Sequence, residues 1–341
     1  MKEKDFRNQI YWLTFLFSLL VVWGHSYNAE LYLGQTKQGE AINQLEHMIG
    51  DRLGQIAVPA FFMLSAYLFY RGFTREKLWT KWISRIRSIL VPYIVWNTIY
   101  YLGYVIASRI PWLTGVVGKG VIPLRLDAAV DAILNYRYNY VFWYLYQLIL
   151  LIALAPALYT VLKRAWSGIL FLALLYACIW QGAALPLLNL DALFYYSLAA
   201  CAAIHWRTFT EAEWNYRRGL LGAVCIAAGF LCYEAANRWG LVGALVTGRL
   251  LAPVGIWLCM PGRWLPPVRP FMTRNFFLYA THFAFVRLIN KIGARLLPPV
   301  VWMPFLVYLL MPGLVLMISA GIGTVLRRFF PRLWYLLNGG R

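Results

Sequence analysis

Apolar stretches of about twenty residues follow one another along almost the whole chain, and no other feature constrains its fold as strongly. That length of helix crosses the hydrocarbon core of a bilayer. Ten such stretches are placed near residues 9–28, 53–70, 88–108, 139–162, 166–185, 191–206, 219–236, 241–261, 276–293 and 304–326. A membrane β-barrel would need ten-residue segments alternating with period two, and none is present. The expected fold is therefore all-α, a polytopic integral membrane protein of about ten transmembrane helices forming a single domain over residues 1–341. With 61% hydrophobic and 13% charged residues the chain has too little polar surface for a soluble domain of this size.

The formal charge of +19 would fit nucleic-acid binding if it lay along one amphipathic face. It lies instead in short clusters between apolar stretches, so no nucleic-acid partner is expected. Sorting lysines and arginines by connection puts twenty-one on the side that holds both termini and nine on the other, leaving Arg249 and Arg287 inside spans. By the positive-inside rule both termini are cytoplasmic. Charges of both signs before Gln9, with no small-residue cleavage site after the first span, favour a retained first helix over a removed signal peptide. The five cysteines lie in or beside apolar stretches without metal-binding spacing, so packing is the expected role and no metal is anticipated. Tryptophans and tyrosines crowd many span ends, as an interfacial belt does.

The ionisable and polar groups within the spans carry whatever chemistry there is. His25 lies in the outer third of the first span, where a neutral imidazole could take the proton of a hydroxyl attacking an acyl carbonyl. A plain hydrogen bond to a neighbouring helix is the competing reading. His282, near the middle of the ninth span, fits a structural hydrogen bond better than catalysis, and His47 and His205 carry no motif. Arg71, Arg75, Lys77, Lys81, Arg85 and Arg87 form the densest basic cluster. Most such clusters fix orientation or touch lipid headgroups, but Arg85 and Arg87 also suit the phosphates of a cytoplasmic donor. Arg249 and Arg287 each cost about 3 kcal/mol at the bilayer centre and so require a partner or an aqueous cavity. Asn97 and Gln147 are further inward-facing candidates, and Glu234 has Arg238 or Arg249 as candidate partners.

Five segments in order, the one around His25, Val58–Ser65, Arg85–Tyr93, Phe142–Tyr146 and Phe277–His282, resemble the acyltransferase-3 superfamily over essentially the whole chain. Within it the chain is most similar to the short surface-polysaccharide O-acyltransferases, which share a terminal run like Arg327–Pro331. The resemblance implies a ten-helix core in the inner cell membrane. That core takes an acyl group, commonly acetyl from acetyl-CoA, and passes it to a hydroxyl of a glycan or lipid-linked saccharide, with the counterpart of His25 as the proposed catalytic residue. Two departures stand out. Thr14 and Tyr11 occupy places where many members carry an arginine and an acidic residue. Ser88 stands where a second arginine often follows the one matched by Arg85, with Arg87 as its substitute.

The expected mechanism has Arg85 and Arg87 holding acyl-CoA and His25 acting as general base or acyl carrier. Tyr93, Asn97 and His282 are the candidates for stabilising the oxyanion. A transporter or flippase of a small solute or lipid-linked glycan is the main alternative, and a non-catalytic assembly subunit the third.

Overall fold

The computed structural model describes residues 1–340, apart from the side chains at positions 112, 115 and 116. Among the described residues every regular element is helical. The first helices are α1 (Glu3–Trp23), α2 (Ala29–Leu33), α3 (Lys37–Leu53), α4 (Ala57–Tyr70), α5 (Leu78–Arg85) and α6 (Val91–Ala107). Then come α7 (Pro111–Val117), α8 (Leu126–Leu134), α9 (Trp143–Ala153), α10 (Ala155–Leu162), α11 (Ala165–Trp180) and α12 (Leu190–His205). The last are α13 (Arg207–Thr210), α14 (Tyr216–Trp239), α15 (Val242–Cys259), α16 (Asn275–Leu296), α17 (Met303–Phe329) and α18 (Pro331–Leu337).

Each of the ten apolar stretches falls on helix. Five helical runs are both long and apolar enough to cross a membrane: Lys37–Tyr70, Arg75–Ala107, Tyr216–Trp239, Val242–Cys259 and Met303–Phe329. The pair α9 and α10 makes a sixth if taken as one broken span; the break sits just before Pro156, whose ring cannot continue the preceding helix. The shortfall from ten has local causes. Helices α1 and α16 are long enough, but α1 opens with Glu3, Lys4, Asp5 and Arg7, and α16 carries Arg287, Lys291 and Arg295. Helices α11 and α12 are apolar but only 16 residues long.

The chain divides into two compact units. The first comprises residues 1–75 and 154–321. Here α1 is flanked by two apolar clusters. Leu13, Phe17, Leu20 and Val21 pack with Ile56, Ala57, Ala60 and Ala252, while Val22 joins Leu278 and Val286 of α16 and Met303, Val307, Met311 and Val315 of α17. Burial on both sides fixes the far end of α1, where Trp23 Nε1 also donates to the Tyr308 carbonyl at 3.0 Å. At its near end Arg71 donates to Glu3 at 2.7 Å and to Glu211 at 2.7 Å, with its guanidinium 4.2 Å from the Phe6 ring centroid. Tyr67 and Arg207 also donate to Glu211, at 2.9 and 3.0 Å.

Helices α14 and α15 form an antiparallel hairpin held by glycines. A Cβ on Gly222 would meet the Gly255 carbonyl at 2.8 Å, and one on Gly229 the Gly248 carbonyl at 3.2 Å. Close backbone approach through small residues suits helices in lipid, where apolar side chains gain little from leaving one apolar medium for another.

The second unit comprises residues 76–153 and 322–341. Tyr101 and Val105 of α6 pack with Ile122 and with Ala132 of α8, and Trp96 Nε1 donates to the Leu337 carbonyl of α18 at 2.9 Å.

Candidate functional site

The site builds from the turn that ends α1. Gly24 closes the helix by donating to the Leu20 carbonyl, and His25 and Ser26 continue the turn by donating to Val22 and Trp23. Two glycines permit this geometry: a Cβ on Gly54 would stand 2.9 Å from Gly24 Cα. His25 is partly exposed, just beyond the last helical residue. Its ring centroid lies 5.4 Å from that of His282 and 5.7 Å from that of Phe283, the latter edge-on.

His282 is fully buried. Its Nδ1 lies 2.5 Å from the Tyr279 carbonyl oxygen. A carbonyl only accepts, so Nδ1 carries the proton and Nε2 presents a lone pair. That Nε2 is buried with no hydrogen-bond partner among the described residues. The structure therefore brings the two sequence-predicted histidines together, with one nitrogen of the inner ring left available.

Sequence reasoning missed the groups that hold this turn. Glu46 of α3 is completely buried, and its Oε2 accepts the backbone N–H of Asn28 at 2.9 Å and of Ala29 at 3.2 Å, capping α2 from a distance. Asn28 donates to Asn290 Oδ1 at 3.2 Å, and Asn290 of α16 donates to the Ser26 and Tyr27 carbonyls at 3.4 Å. Tyr308 of α17 donates to the Glu46 carbonyl at 3.0 Å. Neither residue type nor spacing signalled them: Glu46 lies in a polar stretch, and its partners, like those of Asn290, are distant in the sequence.

The other titratable candidates resolve as follows. His47 stacks on Tyr27 at 4.1 Å and lies 3.2 Å from Asp51, which also accepts the Tyr27 hydroxyl at 2.9 Å. A methyl at Gly50 would overlap the Tyr27 phenol, so that stacking depends on glycine. His205 is bonded to the Leu162 carbonyl at 2.7 Å. Arg249 donates to Gln55, and the Arg287 guanidinium stands 5.7 Å from the Phe283 centroid. Glu234 pairs with neither Arg238 nor Arg249 but with Arg52 at 2.6 Å, a residue 182 positions earlier that no local pattern would select.

Arg85, Arg87, Tyr93 and Asn97 belong to the second unit. Arg85 ends α5 and is partly exposed, whereas Arg87 is exposed within a π-helical turn, Ile86–Leu90. Such turns are frequent at functional positions. One turn apart on α6, the Tyr93 hydroxyl donates to the Ile133 carbonyl at 2.6 Å and Asn97 Nδ2 to the Tyr93 carbonyl at 2.9 Å. Thr14 turns its hydroxyl onto the Ile10 carbonyl at 2.7 Å and so supplies no cationic group.

Among known proteins, the chain is similar to the succinoglycan biosynthesis protein ExoH of Rhizobium meliloti (strain 1021). The two are 24% identical over 338 residues, covering 88% of this chain and 83% of that protein. No solved structure matches the chain. The profile of the family described as "Acyltransferase domain" matches residues 8–324, nearly the full length. With its apolar helices, the chain is thus a multi-pass membrane protein and belongs to the acyltransferase-3 family.

Proposed function

We propose that this protein is an O-acyltransferase of the inner cell membrane. It moves an acyl group, in the first instance acetyl, from acyl-CoA to a hydroxyl of a cell-surface or lipid-linked glycan. The observation that carries the reading is the His25–His282 pair, 5.4 Å between ring centroids, at the end of α1 in an acyltransferase-family chain. The role of the ExoH relative in succinoglycan biosynthesis supports a glycan acceptor. The distribution of basic residues supports ten spans with both termini cytoplasmic.

In this reading a neutral His25 takes the proton of the acceptor hydroxyl as its oxygen attacks the thioester carbonyl. The proton then passes to the departing sulfur, releasing CoA as its thiol. Transient acylation of His25 itself is the variant of the same scheme. His282, with Nδ1–H fixed on a carbonyl and Nε2 as an acceptor, supports the His25 imidazolium that forms between the two proton transfers. Tyr93 already donates its one hydroxyl proton to Ile133, and Asn97 Nδ2 donates to the Tyr93 carbonyl, so neither is assigned to the oxyanion. Arg85 and Arg87 take the donor phosphates, as guanidinium groups do.

The test is His25→Ala in cells and in purified protein. The expected result is loss of glycan O-acetylation and of acyl-CoA turnover at normal membrane abundance. Near-normal acetylation would overturn the assignment of His25. Purified wild-type protein that neither binds nor cleaves acyl-CoA would favour a transporter.

A further inference from the structure

The second unit contains a buried polar pair that its own atoms do not satisfy. Asn97 is 1% exposed and Asn139, just before α9, is fully buried. Asn97 Nδ2 is engaged by the Tyr93 carbonyl, but its Oδ1 has no partner among the described residues, and neither Oδ1 nor Nδ2 of Asn139 has one. Buried carboxamides are nearly always paired, so three orphaned atoms on two residues call for a ligand or water.

The two side chains occupy the same level of the unit. One turn before Asn97, Tyr93 stacks on Phe142 at 6.0 Å; one turn after it, Tyr101 meets Tyr138 at 5.7 Å. Asn139 lies between Tyr138 and Phe142 in the chain, so these ring contacts bracket both asparagines. The turn that delivers Asn139 is strained. Tyr136 adopts a left-handed backbone with φ of 39°, uncommon for any residue but glycine, and packs its ring 5.6 Å from that of Tyr146. Strain of this kind persists where surrounding structure enforces it, often at ligand sites.

Together the orphaned atoms offer two acceptors and one donor, all neutral. A secondary amide presents the complement, an N–H beside a C=O. Arg87 precedes Asn97 by ten residues, a rise of roughly 15 Å along a helix, within the reach of an extended pantetheine arm whose phosphate end lies at the arginines. We propose that Asn97 and Asn139 bind an amide of the pantetheine arm of acyl-CoA. The amide N–H donates to a carboxamide oxygen, and its carbonyl accepts from Asn139 Nδ2. This inference rests on the acyl-CoA reading above and adds the subsite that recognises the donor's arm.

The experiment compares binding of CoA with that of 3′-phosphoadenosine 5′-diphosphate, the nucleotide half lacking the arm, by purified protein in nanodiscs. Wild-type protein should bind both, CoA more tightly. Asn139→Leu and Asn97→Leu should each weaken CoA roughly tenfold and leave the nucleotide unchanged, while the unliganded protein melts no lower than wild type because an unsatisfied group has been removed. An unchanged ratio of CoA to nucleotide affinity in both variants would overturn the proposal and assign the pair to buried water. Should Asn139→Leu not fold, Asn97→Leu, which leaves the 136–139 turn untouched, decides alone. Wild-type protein that binds neither ligand would overturn the acyl-CoA reading itself, and this subsite with it.

Discussion

Glu46 reaches the backbone of Asn28 with one carboxylate oxygen, at 2.9 Å, and thereby fixes the exit of the turn that carries His25. The same oxygen accepts from Ala29, so a single buried acid serves as a helix cap supplied from another helix.

Replacing Glu46 by alanine leaves two buried N–H groups unpaired and should cost about 2 kcal/mol of stability. Glu46→Gln retains a carbonyl acceptor and should recover most of it. Thermal melts of the purified variants check the stability, and turnover should follow the same order, with kcat reduced more than KM changes because the turn and not substrate contact is disturbed.

His282→Asn places a donor near the position of Nδ1 and can keep the bond to Tyr279 while deleting Nε2. Expression and melting should stay near wild type, and acyl transfer should fall roughly 10²-fold. His282→Gln, which instead mimics Nε2, should lose the carbonyl contact and retain more activity if that nitrogen is the working one. Initial rates with acetyl-CoA distinguish the two.

The Arg71 network makes stability pH-dependent. Hydrogen bonds from Arg71 and then Arg7 pull the Glu3 carboxyl down to about 2, and at Glu211 the burial that raises its pKa is outweighed by bonds from Arg71, Tyr67 and Arg207, so it too titrates below the usual range. Carboxylates depressed on folding stabilise the protein fully above their unfolded pKa near 4.5 and lose that contribution as pH falls toward about 2. The melting temperature should drop through that window, and less steeply in Glu211→Gln. Arg71→Ala, which leaves a partly buried Glu211 with only Tyr67 and Arg207 as donors, should cost about 2 kcal/mol at neutral pH.

Gly229→Val places a side chain against the backbone of Ala252 and Gly248, whose nearest atoms lie 3.0 and 3.2 Å from the Cβ position. Overpacking at such a contact should cost about 2 kcal/mol. Gly103, with open space around its Cβ position, serves as the control, and Gly103→Ala should melt at or above wild type because alanine is the better helix former. Parallel melts of the two variants check both.

Much of the fold was legible because lipid imposes one simple rule, internal satisfaction of the backbone, and apolar runs of helical length obey it visibly. Residues 9–28 and 276–293 read as spans on apolar content, although polar and charged residues, Glu3 to Arg7 in one helix and Arg287, Lys291 and Arg295 in the other, make these two helices less apolar than the spans that stand out. His25 stood out because an imidazole in an apolar run has few ordinary reasons to be there. Glu46, Asn290 and Tyr308 did not, since their partners lie 17 to 264 positions away and no periodicity links them. Arg52 and Glu234 show the same limit: local spacing offered Arg238, and the tertiary fold chose otherwise.

The glycine contacts of α14 and α15 recur at seven-residue intervals, 222 to 229 on one helix and 248 to 255 on the other. Seven residues fall about 20° short of two full turns of a straight helix. For both pairs to remain face to face, the two rods must wind slightly around each other with a left-handed sense, so four absent side chains set the handedness of this pair.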